Sequence, residues 1–402
     1  MTAAAIISLL PTARGEGARS ADEGSRPRRR GRIVLIDDNA NDVAVTRRFL
    51  ERRGYDVVPA TSGEEGLRLA IQVVPDAIVV DYRMPVMDGF EVTRLVKSHE
   101  QLRTIPVLML TGADTPQHVV DGLGAGADDF VTKGSDAEVL FARLGALLRV
   151  KEYQDELRRV NQQMSRDLQI ARRVQEALVP PSTFTAPRIE VRSAYIPSET
   201  LSGDFYDYFV QDDLMYLFVA DVSGHGLPAA ILVSLLKSYL HTEASAHESL
   251  ATFMARLNDF LFTVSLPAQF ATAQLLRIDS DGSLVYANAA HPPFLLHRSQ
   301  EGRTDVVEQP GHLLGAMPKM EYEECRTTIS SGDTLFVYTD GLTDRRMASG
   351  EFYSIDRVAR LLESSGSEDL GELYDRIYAD ICSFATTEEF KDDIAFVVTR
   401  FT

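Results

Sequence analysis

Between residues 32 and 148 the chain alternates short apolar runs with amphipathic stretches, and this alternation limits the possible folds most strongly. Residues 33–36 form a continuous apolar run, typical of a strand buried on both faces of a parallel sheet. The pattern predicts a doubly wound α/β domain with a five-stranded parallel sheet, whose chemistry lies at the carboxyl ends of the strands. Strands are predicted at 33–36, 55–60, 77–80, 106–110 and 129–132, and helices at 43–52, 64–72, 91–98, 116–123 and 136–148.

Polar residues follow four of these strands. Asp37 and Asp38 follow the first strand, Asp81 the third, Thr111 the fourth and Lys133 the fifth. Three carboxylates that meet at one sheet edge repel each other unless a hard divalent cation such as Mg²⁺ lies among them. Asp81 is then placed as a carboxylate nucleophile toward a phosphoryl group, with Lys133 and Thr111 beside the phosphoryl oxygens.

The segments around these residues resemble the receiver domain of two-component response regulators, over residues 32 to about 150. The resemblance implies a flavodoxin-like fold, Mg²⁺ held by the acidic residues, and phosphotransfer from a partner histidine kinase to Asp81. Phe130 stands at the position of the family's aromatic switch residue. Gly112 stands where alanine is common, and Gly134 where proline is usual. The matching segments are LIDDN (35–39), VVDYRMPVMDG (79–89), PVLMLTG (106–112) and GADDFVTK (126–133).

From residue 150 to residue 180 the pattern changes to a single long helix. Apolar residues recur at spacings of three and four, with charged and amide side chains between them and no Gly or Pro before Pro180. This imperfect heptad pattern favours a parallel coiled coil in a homodimer. The alternative is that the apolar stripe packs on a neighbouring domain of the same chain.

Beyond residue 181 the chain alternates β-rich segments with a few helical stretches, which predicts an α+β region with antiparallel sheets. Acidic motifs recur at turns and strand ends: SGDFYD (202–207) in a turn after a strand, DVSGHG (221–226), TDGLTD (339–344) and KDDI (391–394). Aspartates with no matching His/Cys set suit Mg²⁺ or Mn²⁺ rather than Zn²⁺. Two such ions activate water for direct attack on phosphorus, so no protein nucleophile is required.

Residues 165–402 resemble the metal-dependent protein phosphatase family (PPM, or PP2C-type), in its bacterial sporulation and general-stress branch. The resemblance includes the lead-in ARRVQEALVP (171–180) and implies an antiparallel β-sandwich flanked by helices. In this branch the usual substrate is phosphoserine or phosphothreonine on an anti-sigma factor antagonist. Asp393 stands where many relatives have asparagine, so a part in metal binding stays open. Matched motif by motif, the resemblance implies that two Mn²⁺ or Mg²⁺ ions are held by the ligands and catalytic residues Asp204, Asp221 with the Val222 carbonyl, Asp340 and Asp392.

Other residues of these motifs have two interpretations. His225 is either a general acid or a hydrogen-bonded turn residue. Asp207 and Asp344 either orient water or cap turns. We interpret His291 and Asn288 as residues that shape the fold.

Composition excludes several classes of partner and site. The formal net charge of −18 disfavours nucleic acid and anionic lipid as partners. The two cysteines, Cys325 and Cys382, argue against a disulfide framework, a zinc site and a cysteine-nucleophile phosphatase, and they fit a reducing cytoplasm. No apolar run approaches the ~20 residues that span a bilayer, so membrane insertion is not expected.

The sequence therefore predicts a disordered extension (1–30), a receiver domain (31–149), a helical linker (150–180) and a phosphatase domain (181–402). The predicted function is that of a response regulator that dephosphorylates a partner protein under the control of Asp81, relayed by the long helix. The sequence does not fix whether phosphorylation activates or inhibits. The alternative is a receiver-controlled adaptor with an inactive phosphatase-like domain. A DNA-binding regulator is disfavoured because the C-terminal half has no basic recognition helix.

Overall fold

The computed structural model describes residues 31–112, 124–211, 214–244, 248–279, 282–347, 349–366, 368–384 and 390–402. The extension expected over 1–30 and the helix predicted over 116–123 lie outside these ranges. The chain divides into two compact units, Met1–Asn161 and Gln162–Thr402. Among the described helices, none has the length and apolar character needed to cross a bilayer.

The first unit is a five-stranded parallel sheet in the order β2-β1-β3-β4-β5, which confirms the predicted doubly wound fold. Its central strands are wholly buried, as their continuous apolar sequences indicate. Asn39, Ser62 and Asp88 begin three of its helices by accepting a backbone N–H, as N-cap residues do. The strands are β1 (Arg32–Ile36), β2 (Asp56–Ala60), β3 (Ala77–Asp81), β4 (Val107–Thr111) and β5 (Asp129–Thr132), and the helices are α1 (Ala40–Arg52), α2 (Gly63–Val73) and α3 (Gly89–Ser98).

One uninterrupted helix, α4 (Ala137–Leu178), follows β5. The sequence predicted a helix ending near 148 and a separate linker helix from 150. No glycine or proline after Gly145 interrupts residues 146–178, so the two predicted helices are continuous. The division between the two units falls within this helix.

The second unit contains two antiparallel sheets, as predicted. One sheet has the order β14-β11-β10-β9-β8, and the other has the order β13-β12-β15-β16-β7-β6. The strands are β6 (Thr183–Ala186), β7 (Ile189–Ile196), β8 (Asp204–Gln211), β9 (Leu214–Val222), β10 (Ala271–Ile278), β11 (Ser283–Ala289), β12 (Phe294–Arg298), β13 (Arg303–Val307), β14 (Cys325–Thr328), β15 (Thr334–Tyr338) and β16 (Ile394–Phe401).

Helices cover the outer face of each sheet. Alternating residues of the strands face opposite sides, and three apolar cores result: one between the sheets and one between each sheet and its helices. The arrangement is a helix–sheet–sheet–helix sandwich, and it confirms the expected fold class. The helices are α5 (Leu227–Glu243), α6 (Leu250–Val264), α7 (Ile355–Glu363) and α8 (Leu370–Phe384).

One local prediction is wrong. Asp204 to Asp207 do not lie in a turn, because β8 begins at Asp204 and continues to Gln211. The segment reads DFYDYFVQ, in which buried aromatic residues offset the low strand preference of aspartate. Asp204 is thereby fixed in a sheet register, opposite Asp221 of β9.

Candidate functional site

The first candidate site lies at the carboxyl edge of the parallel sheet. Asp37, Asp38 and Asp81 have carboxylate oxygens within 4.8 Å of one another. The Lys133 ammonium lies 2.7 Å from Asp37 Oδ2 and 3.0 Å from Asp81 Oδ1. The structure thus brings together the residues that the sequence placed at three different strand ends.

Burial and the ion pairs with Lys133 shift the pKa values of this cluster in opposite directions. Burial raises the pKa of Asp81, although the hydrogen bond from Lys133 opposes the shift. Burial lowers the pKa of Lys133, but its hydrogen bonds to Asp37 and Asp81 more than offset this and raise the pKa overall. The Lys133 ammonium is also shared with Asp42 at 3.3 Å, so one cation does not balance the three clustered carboxylates, and the set fits a hard divalent cation.

The other residues predicted for this edge lie beside the cluster. Thr111 ends β4, is largely buried, and its carbonyl accepts a hydrogen bond from the Lys133 N–H at 2.6 Å. Phe130 in β5 is half-buried against the core. Gly134 has φ +89°, which the proline ring cannot adopt, so this glycine gives the chain after Lys133 a different path from a proline. Gly112 is the last described residue before the gap at 113–123.

The second candidate site is formed by four aspartates, two from each of the two antiparallel sheets. Asp204 and Asp221 are register partners on β8 and β9. Asp340 begins a short 3-10 helix directly after β15, and Asp392 lies just before β16, the neighbour of β15. Four segments that are distant in sequence therefore supply these carboxylates.

Asp204 is buried, Asp221 and Asp340 are half-buried, and Asp392 is exposed. Burial and neighbouring carboxylates make the charged forms of this set unfavourable without a cation. Burial, followed by the charge of Asp221, raises the pKa of Asp204 well above its usual value. Burial, followed by the charge of Asp340, raises the pKa of Asp221 to about 7. Burial also raises the pKa of Asp340 and Asp392. Such a set fits divalent cations, whose charge stabilises the ionised carboxylates.

The four carboxylates do not converge on a single point. Within the described ranges, only the first site has three carboxylate oxygens mutually within 4.8 Å. This wider spacing suits two ions better than one ion chelated by the whole set.

Several neighbours hold these aspartates in position. Thr339 Oγ1 donates to Asp204 Oδ2 at 2.6 Å. Asp393 accepts hydrogen bonds from the Ser198 N–H and hydroxyl with one oxygen, and from Gly203 N–H with the other. The Asp393 carboxylate therefore fixes the loop before β8. A Cβ on Gly203 would lie 2.5 Å from the Val222 carbonyl oxygen, so only glycine fits beside this predicted ligand.

Comparison with known proteins identifies both units. Residues 33–145 match the family described as "Response regulator receiver domain", and residues 211–402 match the family described as "Stage II sporulation protein E (SpoIIE)". The SiaA-PP2C domain of Pseudomonas aeruginosa has the same fold as 60% of this chain, with a TM-score of 0.52 and 21% sequence identity over 99% of that domain. The chain joins a receiver domain to a SpoIIE-family domain that has the PP2C phosphatase fold.

Two curated relatives show how far the similarity extends. The Synechocystis "DNA-binding dual master transcriptional regulator RpaA" is 42% identical over 118 residues, which are 29% of this chain and 49% of that protein. The Bacillus subtilis "Phosphoserine phosphatase RsbU" is 24% identical over 260 residues, which are 64% of this chain and 76% of that protein. The matched region of this chain thus covers about half the length of RpaA, and only 28% of the length of the Caulobacter "Response regulator PleD".

The remaining polar residues of the phosphatase motifs divide into an exposed and a buried group. The side chain of His225 is 82% exposed, and Nδ1 lies 3.4 Å from Glu199. His291 is buried between Thr272 Oγ1 and the Tyr338 carbonyl, and burial lowers its pKa to about 4, so it is neutral at physiological pH. The Asn288 amide donates to the backbone carbonyls of His291 and Gln309.

Asp207 and Asp344 differ in environment. Asp207 is buried in β8 and pairs with two residues of α5, Lys237 at 3.0 Å and His241 at 2.7 Å. Asp344 is exposed beyond the 3-10 helix. Asp207 therefore ties a strand of the phosphatase domain to a helix. Sequence reasoning missed this ion pair because Lys237 and His241 lie on a helix with no acidic motif.

The metal-free phosphatase domain should lose stability as the pH rises from about 6 to about 8. The pKa of Asp221 is about 7 when folded, against 3.8 as its usual value, so the folded domain retains a proton that the unfolded chain has lost. The resulting stabilisation is complete below the unfolded pKa and is lost as the pH passes the folded pKa. The loss is on the order of 1 kcal/mol between these pH values.

Thermal unfolding in EDTA, followed by circular dichroism, measures this dependence. Asp221→Asn should weaken it, because the amide does not titrate. An unfolding temperature of the phosphatase domain that rises over this pH range in the wild type would contradict the assignment.

Proposed function

We propose that this protein is a response regulator whose output is the metal-dependent dephosphorylation of phosphoserine or phosphothreonine on a partner protein. Phosphorylation of Asp81 controls this output. The observation that carries the proposal is the set of four aspartates in which partial or full burial, together with the charge of neighbouring carboxylates, raises every pKa. An apolar or ion-paired interior would stabilise a non-catalytic domain better than this uncompensated charge.

In the receiver domain, Asp37, Asp38 and Asp81 would hold Mg²⁺, which when bound screens the carboxylates and the phosphoryl oxygens. An Asp81 oxygen forms the new bond to phosphorus while the P–N bond of the kinase phosphohistidine breaks. Lys133, already within 3.0 Å of Asp81, supplies positive charge to the transferred group, and the Thr111 hydroxyl donates a hydrogen bond to it. Phe130, at the position of the aromatic switch residue, would change its conformation when Asp81 is phosphorylated.

In the phosphatase domain, two Mn²⁺ or Mg²⁺ ions, when bound, lower the pKa of water and bind phosphate oxygens. Thr339 orients the Asp204 carboxylate, and Gly203 allows close approach to the Val222 carbonyl. No protein nucleophile is needed in this scheme. The residues that would hold the ions are Asp204, Asp221, Val222 through its carbonyl, Asp340 and Asp392.

We infer that the substrate is a phosphorylated anti-sigma factor antagonist. The similarity of this chain to the sporulation and general-stress branch supports this inference, and RsbU is itself named a phosphoserine phosphatase.

We place the protein in the cytoplasm, where such a substrate and a histidine kinase domain would meet it. The sequence has two cysteines and no paired-cysteine motif, which fits a reducing compartment.

Phosphate release tests the enzymatic proposal against the adaptor alternative. A phosphoserine protein and para-nitrophenyl phosphate are each incubated with the full chain in Mn²⁺ or in EDTA. We expect turnover in Mn²⁺ and none in EDTA. Folded protein that releases no phosphate from either substrate in Mn²⁺ or Mg²⁺ would favour the adaptor.

We also propose that the protein is a homodimer through helix α4. The apolar stripe of this helix is largely solvent-exposed within one chain: Tyr153 is 75% exposed, Leu157 61% and Met164 57%. Exposed apolar residues at heptad spacing are buried when a second helix packs against them.

Introducing charge into this stripe should dissociate the dimer. Leu157→Lys combined with Met164→Lys places like charges at the centre of the helix pair. Light scattering coupled to size-exclusion chromatography should report two chains for the wild type and one for the variant. Gln162→Lys, off the stripe, should remain dimeric. A wild-type mass of one chain would contradict the coiled-coil proposal.

A further inference from the structure

One buried glutamine joins the end of helix α4 to the phosphatase site. Most side chains between residues 152 and 174 are exposed, but Gln175 is only 4% exposed. Its amide makes two hydrogen bonds to one residue: Nε2 donates to the Ser202 carbonyl at 2.6 Å, and Oε1 accepts from the Ser202 N–H at 3.1 Å. This paired geometry fixes both the position and the orientation of the backbone at Ser202.

Ser202 passes this restraint to the proposed metal ligands. The Ser202 hydroxyl accepts a hydrogen bond from the Asp204 N–H at 3.0 Å. Gly203, between them, accepts a hydrogen bond from the Val222 N–H at 3.1 Å through its carbonyl. Its N–H donates to Asp393 at 3.0 Å. The Gln175 amide is therefore linked through Ser202 to the Asp204 N–H, and through Ser202 and its neighbour Gly203 to the Val222 N–H.

A second contact attaches the same helix end to the same strand. The Lys237 ammonium donates to the carbonyl of Leu178, the last residue of α4. The same ammonium lies 3.0 Å from Asp207 of β8. A cation at a helix C-terminus satisfies a carbonyl that has no partner within the helix. The last turn of α4 is thus attached at two points to the segment 202–207.

We propose that Gln175 is a positioning residue for the phosphatase metal centre. This inference rests on the proposed function. Ser202 is fully buried, so loss of the amide leaves its N–H and carbonyl without these partners and away from water. The loop then relaxes, and the Asp204 carboxylate and the Val222 carbonyl are no longer held in the arrangement that binds the ions. Groups bonded directly to metal ligands typically change metal affinity by about 10- to 100-fold when replaced, and Gln175 acts through Ser202, so the lower end of this range is expected.

Mn²⁺ binding to the full chain tests this assignment without relying on activity. Asp37→Asn and Asp38→Asn are introduced first, so that the receiver site does not contribute. Free Mn²⁺ is then measured by electron paramagnetic resonance during titration. Gln175→Leu is compared with Gln163→Leu, the same substitution at an exposed position of α4. We expect about 10-fold or greater weakening of Mn²⁺ binding for Gln175→Leu and no change for Gln163→Leu.

The following results decide the proposal. Weaker binding with kcat near the wild-type value at saturating Mn²⁺ supports positioning. Unchanged Mn²⁺ affinity of the folded Gln175→Leu chain overturns it, even when unfolding in EDTA shows lower stability. If Gln175→Leu does not fold, the same Mn²⁺ titration is made with Gln175→Glu, which keeps the size and the acceptor for the Ser202 N–H but loses the donor. Weaker Mn²⁺ binding by this variant supports the proposal, and unchanged binding overturns it. Absence of Mn²⁺ binding by the unsubstituted phosphatase domain contradicts the proposed function itself, a result distinct from unchanged affinity.

Discussion

Asp221→Asn is expected to reduce phosphate release by about 1000-fold, because it removes one charge from the set of four aspartates with little change in side-chain shape. Asp221 is the register partner of Asp204, and its charge contributes to the raised pKa of that residue. A neutral amide at this position binds divalent cations more weakly and leaves the water less acidic. The measurement is kcat/KM for a phosphoserine protein at saturating Mn²⁺.

Asp375→Asn is the matched control, because Asp375 is an exposed aspartate on α8, outside the acidic motifs. It should retain wild-type kcat/KM. Equal rates for Asp221→Asn and wild type would exclude Asp221 from the metal set. Equal losses in both variants would indicate a general effect of charge on the domain.

Asp81→Asn is expected to abolish the response of the phosphatase to a phosphodonor. Asp81 lies 3.0 Å from Lys133 and belongs to the three-carboxylate cluster, so it is the carboxylate placed to accept the phosphoryl group. Asparagine has no anionic oxygen for this bond. Incubation with acetyl phosphate or beryllofluoride should change the rate of the wild type and leave Asp81→Asn unchanged.

Asp56→Asn provides the control for this prediction. Asp56 begins β2 and pairs with Arg32 at 3.0 Å, at the amino ends of the strands and therefore away from the carboxyl edge. This variant should respond like the wild type. A response that survives in Asp81→Asn would show that the phosphodonor acts elsewhere.

The receiver fold was predictable from sequence to within a few residues at most element ends. Its strands are continuous apolar runs, and side chains such as Ser62 and Asp88 cap its helices locally. The phosphatase β-sandwich followed from alternating segments and from the resemblance. Asp204 was misplaced in a turn because Gly203 and two aspartates resemble turn chemistry, while aromatic packing holds the segment in a strand.

The supporting residues of the phosphatase site were not predictable in the same way. Thr339 lies in TDGLTD (339–344) and Gln175 in ARRVQEALVP (171–180), but neither residue type, nor that of Lys237, indicates which group it orients. Their roles arise from contacts across 135, 27 and 59 residues of sequence, respectively. Such contacts exist only after the two sheets and α4 have packed. The sequence pattern predicts the carboxylates, whereas tertiary structure determines what orients them.

The central claim is that the receiver controls a metal-dependent phosphatase in the same chain. The most direct test measures phosphate release from a phosphoserine protein by the full chain in Mn²⁺, with and without beryllofluoride, beside Asp392→Ala. The account predicts turnover that beryllofluoride raises or lowers, and no turnover in Asp392→Ala or in EDTA. Turnover that is the same with and without beryllofluoride, on protein whose receiver binds it, would contradict the account.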